Sequence, residues 1–320
     1  MRLTFYGVRG SIPTPGAAYV RYGGNTACVH IELEDGTDII LDSGTGIRVL
    51  GERLIQKNTP INLLLSHNHW DHIQGFPFFA PIYQASREIN IYPGQTLLDE
   101  PDQILKQLEG SLFPVPRSAL KANISIVDIP KSTSRFSVGS ATITRLAMNH
   151  PGRGSAYCIE ADDAKVAYIT DNELYPPYKK ETDFIDFAKF AQNADLLIHD
   201  AQYMLSDMPA KNGWGHSVAE EAVKLAMACN AKKLALYKIH QAKPFYDKLC
   251  NYLSSGPIVA MILEGEDVVS KNRQLMGATD PIKAEEGTLR KMYGISIDKN
   301  SVHGSDSVEN GKIEMDFFFK

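Results

Sequence analysis

The sequence lacks any apolar run approaching the roughly 18 residues needed to cross a bilayer. Its opening, Met1-Arg2-Leu3-Thr4-Phe5-Tyr6-Gly7, has no signal-peptide apolar core and runs straight into a strand-like pattern, so a cytoplasmic protein with no membrane partner is expected. Cysteine is scarce: Cys28, Cys158, Cys229 and Cys250 lie far apart with no Cys-x-x-Cys pair, which excludes a disulfide framework and predicts reduced, mostly buried thiols. Positive charge is not in excess either. The net charge of -5 argues against broad polyanion binding and leaves room only for a local basic groove. What is present is ordinary for a globular protein, 43% apolar and 22% charged, and 320 residues suit one large domain plus one small one.

The densest chemistry follows the apolar strand Leu63-Leu64-Leu65-Ser66. There, His67-Asn68-His69-Trp70-Asp71-His72 places three of the nine histidines and a carboxylate within six residues. Imidazoles this close repel one another when protonated and gain little from packing, but they suit a divalent cation that takes nitrogen and oxygen ligands. The competing reading is a polar turn rich in histidine. In an extended segment His67 and His69 share a side, while Asp71 and His72 swing to a second position as the chain turns into Ile73-Gln74-Gly75. Two cations roughly 3.5 to 4 Å apart would activate water and steady a phosphoryl or acyl transition state.

At these residues the chain resembles the metallo-β-lactamase fold hydrolases, whose signature is His-x-His-x-Asp-His after a strand. The resemblance implies an α/β fold, a four-layer αββα sandwich over about residues 1–236. The pattern itself predicts strands near 3–7, 26–33, 37–42, 124–129, 141–146, 156–160, 165–170 and 233–237, and helices near 47–56 and 97–108. Met148-Asn149-His150-Pro151-Gly152 and Tyr168-Ile169-Thr170-Asp171 each follow a strand pattern. By resemblance, His150 completes a three-histidine site with His67 and His69, Asp171 bridges both metals, and Asp71 with His72 holds the second. Zinc is the first expectation, with manganese or iron as alternatives. Asp42, in Asp42-Ser43-Gly44-Thr45-Gly46, is expected to orient a metal-bound histidine from outside, its competing role being to cap the following helix. His30, alternating with apolar neighbours, reads as structural.

Further along, Leu196-Leu197-Ile198-His199-Asp200 is a strand ending in an acid/base candidate. Gly213-Trp214-Gly215-His216-Ser217 then opens a helix, with Ser217 and Glu220 spaced as a capping box. His199 and His216 look like the branch of the family that cleaves phosphodiesters, such as tRNA 3′-processing enzymes and cyclic-nucleotide phosphodiesterases. That likeness makes His199 a catalytic candidate beside Asp71, with His216 in a supporting or structural role. The family's last histidine ligand falls where this sequence has Lys238. A protonated lysine has no lone pair to donate, so His240 is the nearby substitute and the second metal position is weakened.

From about residue 237 to 320 the chain resembles the latter part of nucleoside diphosphate kinases, through Lys243-Pro244-Phe245-Tyr246, Ser255-Gly256-Pro257, Gly277-Ala278-Thr279-Asp280-Pro281, Glu286-Gly287-Thr288-Leu289-Arg290 and Asn300-Ser301-Val302-His303-Gly304-Ser305-Asp306-Ser307. This implies a partial ferredoxin-like kinase fold. His303 would be the phosphorylated nucleophile and Glu314 its orienting carboxylate. Arg273, Thr279, Arg290 and Asn300 would contact phosphate, Phe245 a nucleobase, and Tyr237 matches the family's active-site tyrosine. The family's opening strand and its phosphate-binding lysine find no match upstream. Three functions follow: a metal-dependent phosphodiester hydrolase with metal-activated water as nucleophile; a nucleoside diphosphate kinase working through His303 with Mg-nucleotide; or a C-terminal nucleotide-sensing or oligomerising module. Expected partners are a nucleotide or phosphodiester substrate and a second copy of the chain in a homo-oligomer.

Overall fold

The structure, a computed structural model, describes residues 1–98, 100–237, 261–296, 300–309, 311–312 and 315. It divides into two compact units, Met1–His240 and Gln241–Lys320.

The first unit contains two six-stranded sheets. One runs in spatial order β1 (Arg2–Gly7), β2 (Cys28–Glu32), β3 (Asp38–Leu41), β4 (Ile61–Leu64), β5 (Glu88–Tyr92) and β6 (Asn123–Ile126). The first three strands pair antiparallel and the rest parallel. The other sheet comprises β7 (Arg135–Val138), β8 (Ala141–Ala147), β9 (Ser155–Ala161), β10 (Ala164–Ile169), β11 (Leu196–Asp200) and β12 (Leu234–Tyr237). Strands β7 to β10 are antiparallel, and β10, β11 and β12 are parallel. Parallel neighbours need a crossover, and helices supply it.

Alternation along the strands builds the layers. Val29, Ile31, Ile39, Leu41 and Leu64 face Ile143, Tyr157, Ile159, Tyr168 and Ile198 in one apolar core between the sheets. On the outer side of the first sheet, Ile40, Leu63, Ile89 and Ile91 pack with Ile47, Leu50 and Leu54 of α1 (Gly46–Leu54). Outside the second sheet, α5 (Ala219–Ala228) packs on β11 and β12, and α4 (Phe184–Phe190) packs on α5. The αββα sandwich is thus present.

Some local expectations need correction. The helix expected over 97–108 is only α3 (Gln103–Lys106), because Pro101 disfavours helical backbone before it and cannot donate a backbone hydrogen bond. Ser217 and Glu220 do not form a capping box. Helix α5 starts at Ala219 with Val218 as its N-cap, so Ser217 lies before the cap and Glu220 inside the first turn; Ser217 Oγ donates to Asn172 O at 2.6 Å, and Glu220 accepts from the Leu205 N–H at 3.3 Å. His30 is structural, paired with Asp38 at 2.8 Å. In the second unit, the named helices among the described residues are α6 (Val268–Met276) and α7 (Leu289–Tyr293). No described helix is long and apolar enough to cross a membrane.

Candidate metal centre

The chemistry-bearing residues lie just beyond the carboxyl ends of parallel strands. Asp42 follows β3, the histidine motif follows β4, Asp171 follows β10, and Asp200 ends β11. In sheets of this kind that edge is the natural place for a site, since loops leave the strands there while the core holds them rigid.

Beyond β4 the chain bends at Ser66, is extended at His69 (φ -64, ψ 149) and then makes a single helical turn, α2 (Trp70–Ile73). This puts His67 and His69 on one side of the turn and Asp71 and His72 on it. His67, His69, His150 and Asp171 can each offer a ligand atom, with all four atoms within 4.8 Å of one another, and Asp71, His72 and Asp171 form a second such group. A third group is Asp171, Asp200 and His216. Asp171 is common to all three. Its Oδ2 lies 3.6 Å from His67 Nε2 and 3.9 Å from His150 Nε2, while its Oδ1 lies 3.3 Å from His72 Nε2. One carboxylate therefore turns an oxygen toward each group, the arrangement a bridging ligand needs.

Neighbouring residues fix the rings. Asp42, held at φ 60, accepts His72 Nδ1–H at 2.7 Å, the Tyr168 hydroxyl at 2.8 Å and the Ser66 backbone N–H at 2.7 Å. This leaves His72 Nε2 with its lone pair toward the site. Helix α1 has Thr45 as its N-cap, so Asp42 is not its cap. His150 Nδ1 donates to Gly215 O at 2.8 Å, which aims His150 Nε2 at His69 Nδ1, 3.0 Å away. Gly215 has φ +83, and a Cβ there would sit 2.3 Å from His150 Nδ1, so the loop can approach the ring this closely only with glycine. Glu173, unremarked in the sequence, holds that loop: its two carboxylate oxygens accept the Gly213 and Gly215 N–H groups at 2.8 and 2.9 Å.

Burial, then the neighbouring His72, holds the His67 imidazole well below the usual histidine range, and burial pushes His150 down to about 4. Both are neutral near pH 7, the form that donates a lone pair. His67 Nε2 is buried and has no hydrogen-bond partner. A bare imidazole nitrogen facing other nitrogens and a carboxylate is costly unless an electrophile engages it. The donor set of three imidazole nitrogens and carboxylate oxygens therefore fits a divalent cation of the zinc, manganese or iron kind.

Two expected roles are corrected. His199 is fully buried, its Nδ1 donates to Asp200 O at 2.7 Å, and strand alternation turns it to the face of β11 opposite Ile198 and Asp200. It belongs to none of the three ligand groups. The residue the sequence reading passed over is its neighbour Asp200, whose Oδ2 lies 2.6 Å from His216 Nδ1. The signal for it was the same one that marked Asp171, a carboxylate directly at a strand end. Tyr237 is the second correction: it is buried in the sandwich core of the first unit, where its hydroxyl donates to Gly7 O at 2.8 Å.

Residues 37–240 match the family model described as a beta-lactamase superfamily domain, well over half of the chain. The chain belongs to the beta-lactamase superfamily. Among solved structures, the short form of human tRNase Z shares this superfamily fold at 19% identity and a TM-score of 0.51, over 74% of this chain and 92% of that one. A diphosphatase from the PhnP family does so at 16% identity and a TM-score of 0.55, over 78% and 89%. Residues 218–320 match the nucleoside diphosphate kinase family as well. The nucleoside diphosphate kinase of Anaeromyxobacter dehalogenans is 51% identical over 98 residues, 31% of this chain and 67% of that protein. The two matches overlap over 218–240, which includes α5 and β12, and in the structure both elements pack in the superfamily sandwich.

In the second unit, Arg290 donates to Gly277 O at 2.9 Å and to Val302 O, beside His303, at 3.2 Å, while Asn300 donates to Thr279 O at 3.4 Å. Arg273 lines a cleft of about 870 Å³ with Lys283, Thr288 and Asp306. His240, Phe245 and Glu314 lie outside the described residues, as does Lys238.

Proposed function

We propose that the chain is a metal-dependent hydrolase that cleaves phosphodiester bonds, of the cyclic-nucleotide or RNA type, at the strand-end cluster. The observation that carries this reading is the convergence of His67, His69, His150, Asp71, His72 and Asp171 around one shared carboxylate, with His67 Nε2 buried and unsatisfied. His67, His69 and His150 would hold one cation, Asp71 and His72 a second, and Asp171 both. Bound there, the metals would lower the pKa of a water and neutralise charge on the phosphoryl group.

The protein's own part is positioning and proton handling. Asp42 and Gly215 O keep the His72 and His150 rings in their donor tautomers. The backbone N–H of Ser11 donates to Asp71 Oδ2 at 2.9 Å and fixes that carboxylate. His216, with Nδ1 on Asp200, can carry a proton on its other nitrogen to the departing oxygen, and the Asp200 carboxylate stabilises the imidazolium that does so. The likeness to tRNase Z and to a diphosphatase supports phosphate esters over lactams or thioesters. Stoichiometric transition metal in purified protein, with phosphodiester cleavage abolished in His67→Ala, is the expected result. Protein free of such metal, or a fully active His67→Ala variant, removes the reading.

A second reading concerns residues 261–320: phosphoryl transfer from Mg-nucleotide through His303. It is supported by Arg290, which ties the His303 turn to the Gly277 loop. Incubation with γ-labelled ATP should place acid-labile label on His303, and its absence in the intact chain ends this reading.

A further inference from the structure

The chain has two tryptophans, and both are exposed, each next in sequence to a residue that belongs to the ligand cluster or holds one of its rings. Trp70 sits between His69 and Asp71 and is 73% exposed; Trp214 precedes Gly215, whose carbonyl holds His150, and is 54% exposed. Tryptophan is usually among the most buried residues on average, so leaving both in solvent forgoes a large burial gain. Neither is on a loose tether. Trp70 opens the helical turn that presents Asp71 and His72, and Trp214 is flanked by the two glycines whose N–H groups Glu173 grips. Lys211 Nζ lies 3.8 Å from the centre of the Trp214 ring, fixing that ring and adding positive charge beside it. The exposed Leu97 extends the apolar rim: its N–H donates to Gly152 O at 2.9 Å, and a Cβ on Gly152 would lie 3.9 Å from His69 Nε2.

We propose that Trp70 and Trp214 are a stacking platform for nucleobases, so that the diester presented to the cluster is one carried by nucleosides. This rests on the hydrolase reading and names the residues that would hold the base of its substrate. The cluster asks for a phosphate and the rim for a flat apolar group attached to it. Lys211 adds a cation where such a ligand carries its negative charge. Stacking on aromatic rings tolerates any base, because each has a π face, and removing one ring costs binding measurably.

The tryptophans are themselves the reporters. Titrating the full chain with the dinucleoside monophosphate ApA should quench its tryptophan emission saturably, whereas the base-free methyl ester of ribose 5-phosphate should not. Trp70→Ala and Trp214→Ala should each raise KM for ApA about tenfold with a much smaller effect on kcat, and Trp214→Phe should restore most of the loss. Equal responses to the two esters, or an unchanged KM in both alanine variants, overturn the proposal. So does dissociation of an oligomer in those variants with KM unaltered, which would make the tryptophans a subunit contact. Saturable quenching by ApA without cleavage of any diester counts against the hydrolase reading alone; cleavage of ApA without quenching counts against the platform alone.

Discussion

His216 Nδ1 and Asp200 Oδ2 are 2.6 Å apart at the end of β11, and both lie within ligand distance of Asp171. The pair makes a specific demand on catalysis. Asp200→Asn keeps the shape but removes the charge that favours an imidazolium, so kcat for a diester with a poor leaving group should fall on the order of 100- to 10,000-fold. Metal content should stay at the wild-type level. A diester with a nitrophenolate leaving group needs less proton assistance and should lose much less. Parallel kinetics on the two substrates check this.

Asp42 is fully buried and accepts from Ser66, His72 and Tyr168 at once. Asp42→Asn offers one carbonyl and one amide group in place of two acceptor oxygens, and it leaves the His72 tautomer undetermined. Metal affinity, measured by competition with a chelator, should drop about 10- to 100-fold.

Gly215→Ala brings a Cβ to 2.3 Å from His150 Nδ1 at a backbone φ of +83. The loop must move, and the hydrogen bond that aims His150 goes with it. The variant should lose metal from the three-histidine group while remaining folded, detectable as reduced metal stoichiometry with unchanged far-UV circular dichroism.

Stability of the metal-free protein should depend on pH through the buried imidazoles. Burial lowers His150 from 6.5 to about 4, so between those values the unfolded chain binds the proton and the folded chain does not. Stability should be fully present above about pH 6.5 and decline as pH falls through about 4, His150 alone accounting for about 3 kcal/mol. His67, shifted in the same direction, adds to the slope. Urea denaturation of chelator-treated protein across that range provides the check.

Tyr237→Phe removes the donor to Gly7 O, 2.8 Å away, and leaves the ring in place. Loss of about 1 kcal/mol or somewhat more is expected from an unpaired buried carbonyl. The hydrolase activity should respond to temperature accordingly, since the bond ties β12 to the end of β1.

The fold was legible because its signals are local and repeated: alternating apolar residues at β2, β3 and β8 to β11, and the periodic face of α1. The histidine motif was legible for a different reason, the improbability of four ligand-type side chains in six residues. What escaped depended on contacts distant in sequence. Glu173 looks like any acidic loop residue until it is seen holding Gly213 and Gly215. Asp200 was overshadowed by the adjacent histidine, and only the strand's facing decides which of the two turns to the site. Strand alternation could have made that choice, since Asp200 shares the parity of the core residue Ile198. The helix expected over 97–108 failed because its apolar periodicity was read without its interrupting proline.

The strand Leu234–Tyr237 bears on how this protein can be cut apart. Kinship with the kinases begins upstream of it, yet its backbone is hydrogen-bonded into the sheet beside β11 and its last side chain reaches across to Gly7. A border drawn by ancestry at 218 would strip the sandwich of a helix and an outer strand, exposing β11 as a raw edge open to adventitious pairing. Severing the chain beyond Tyr237 instead keeps the sheet whole, and that is where a proteolytic or engineered division should leave the larger half intact.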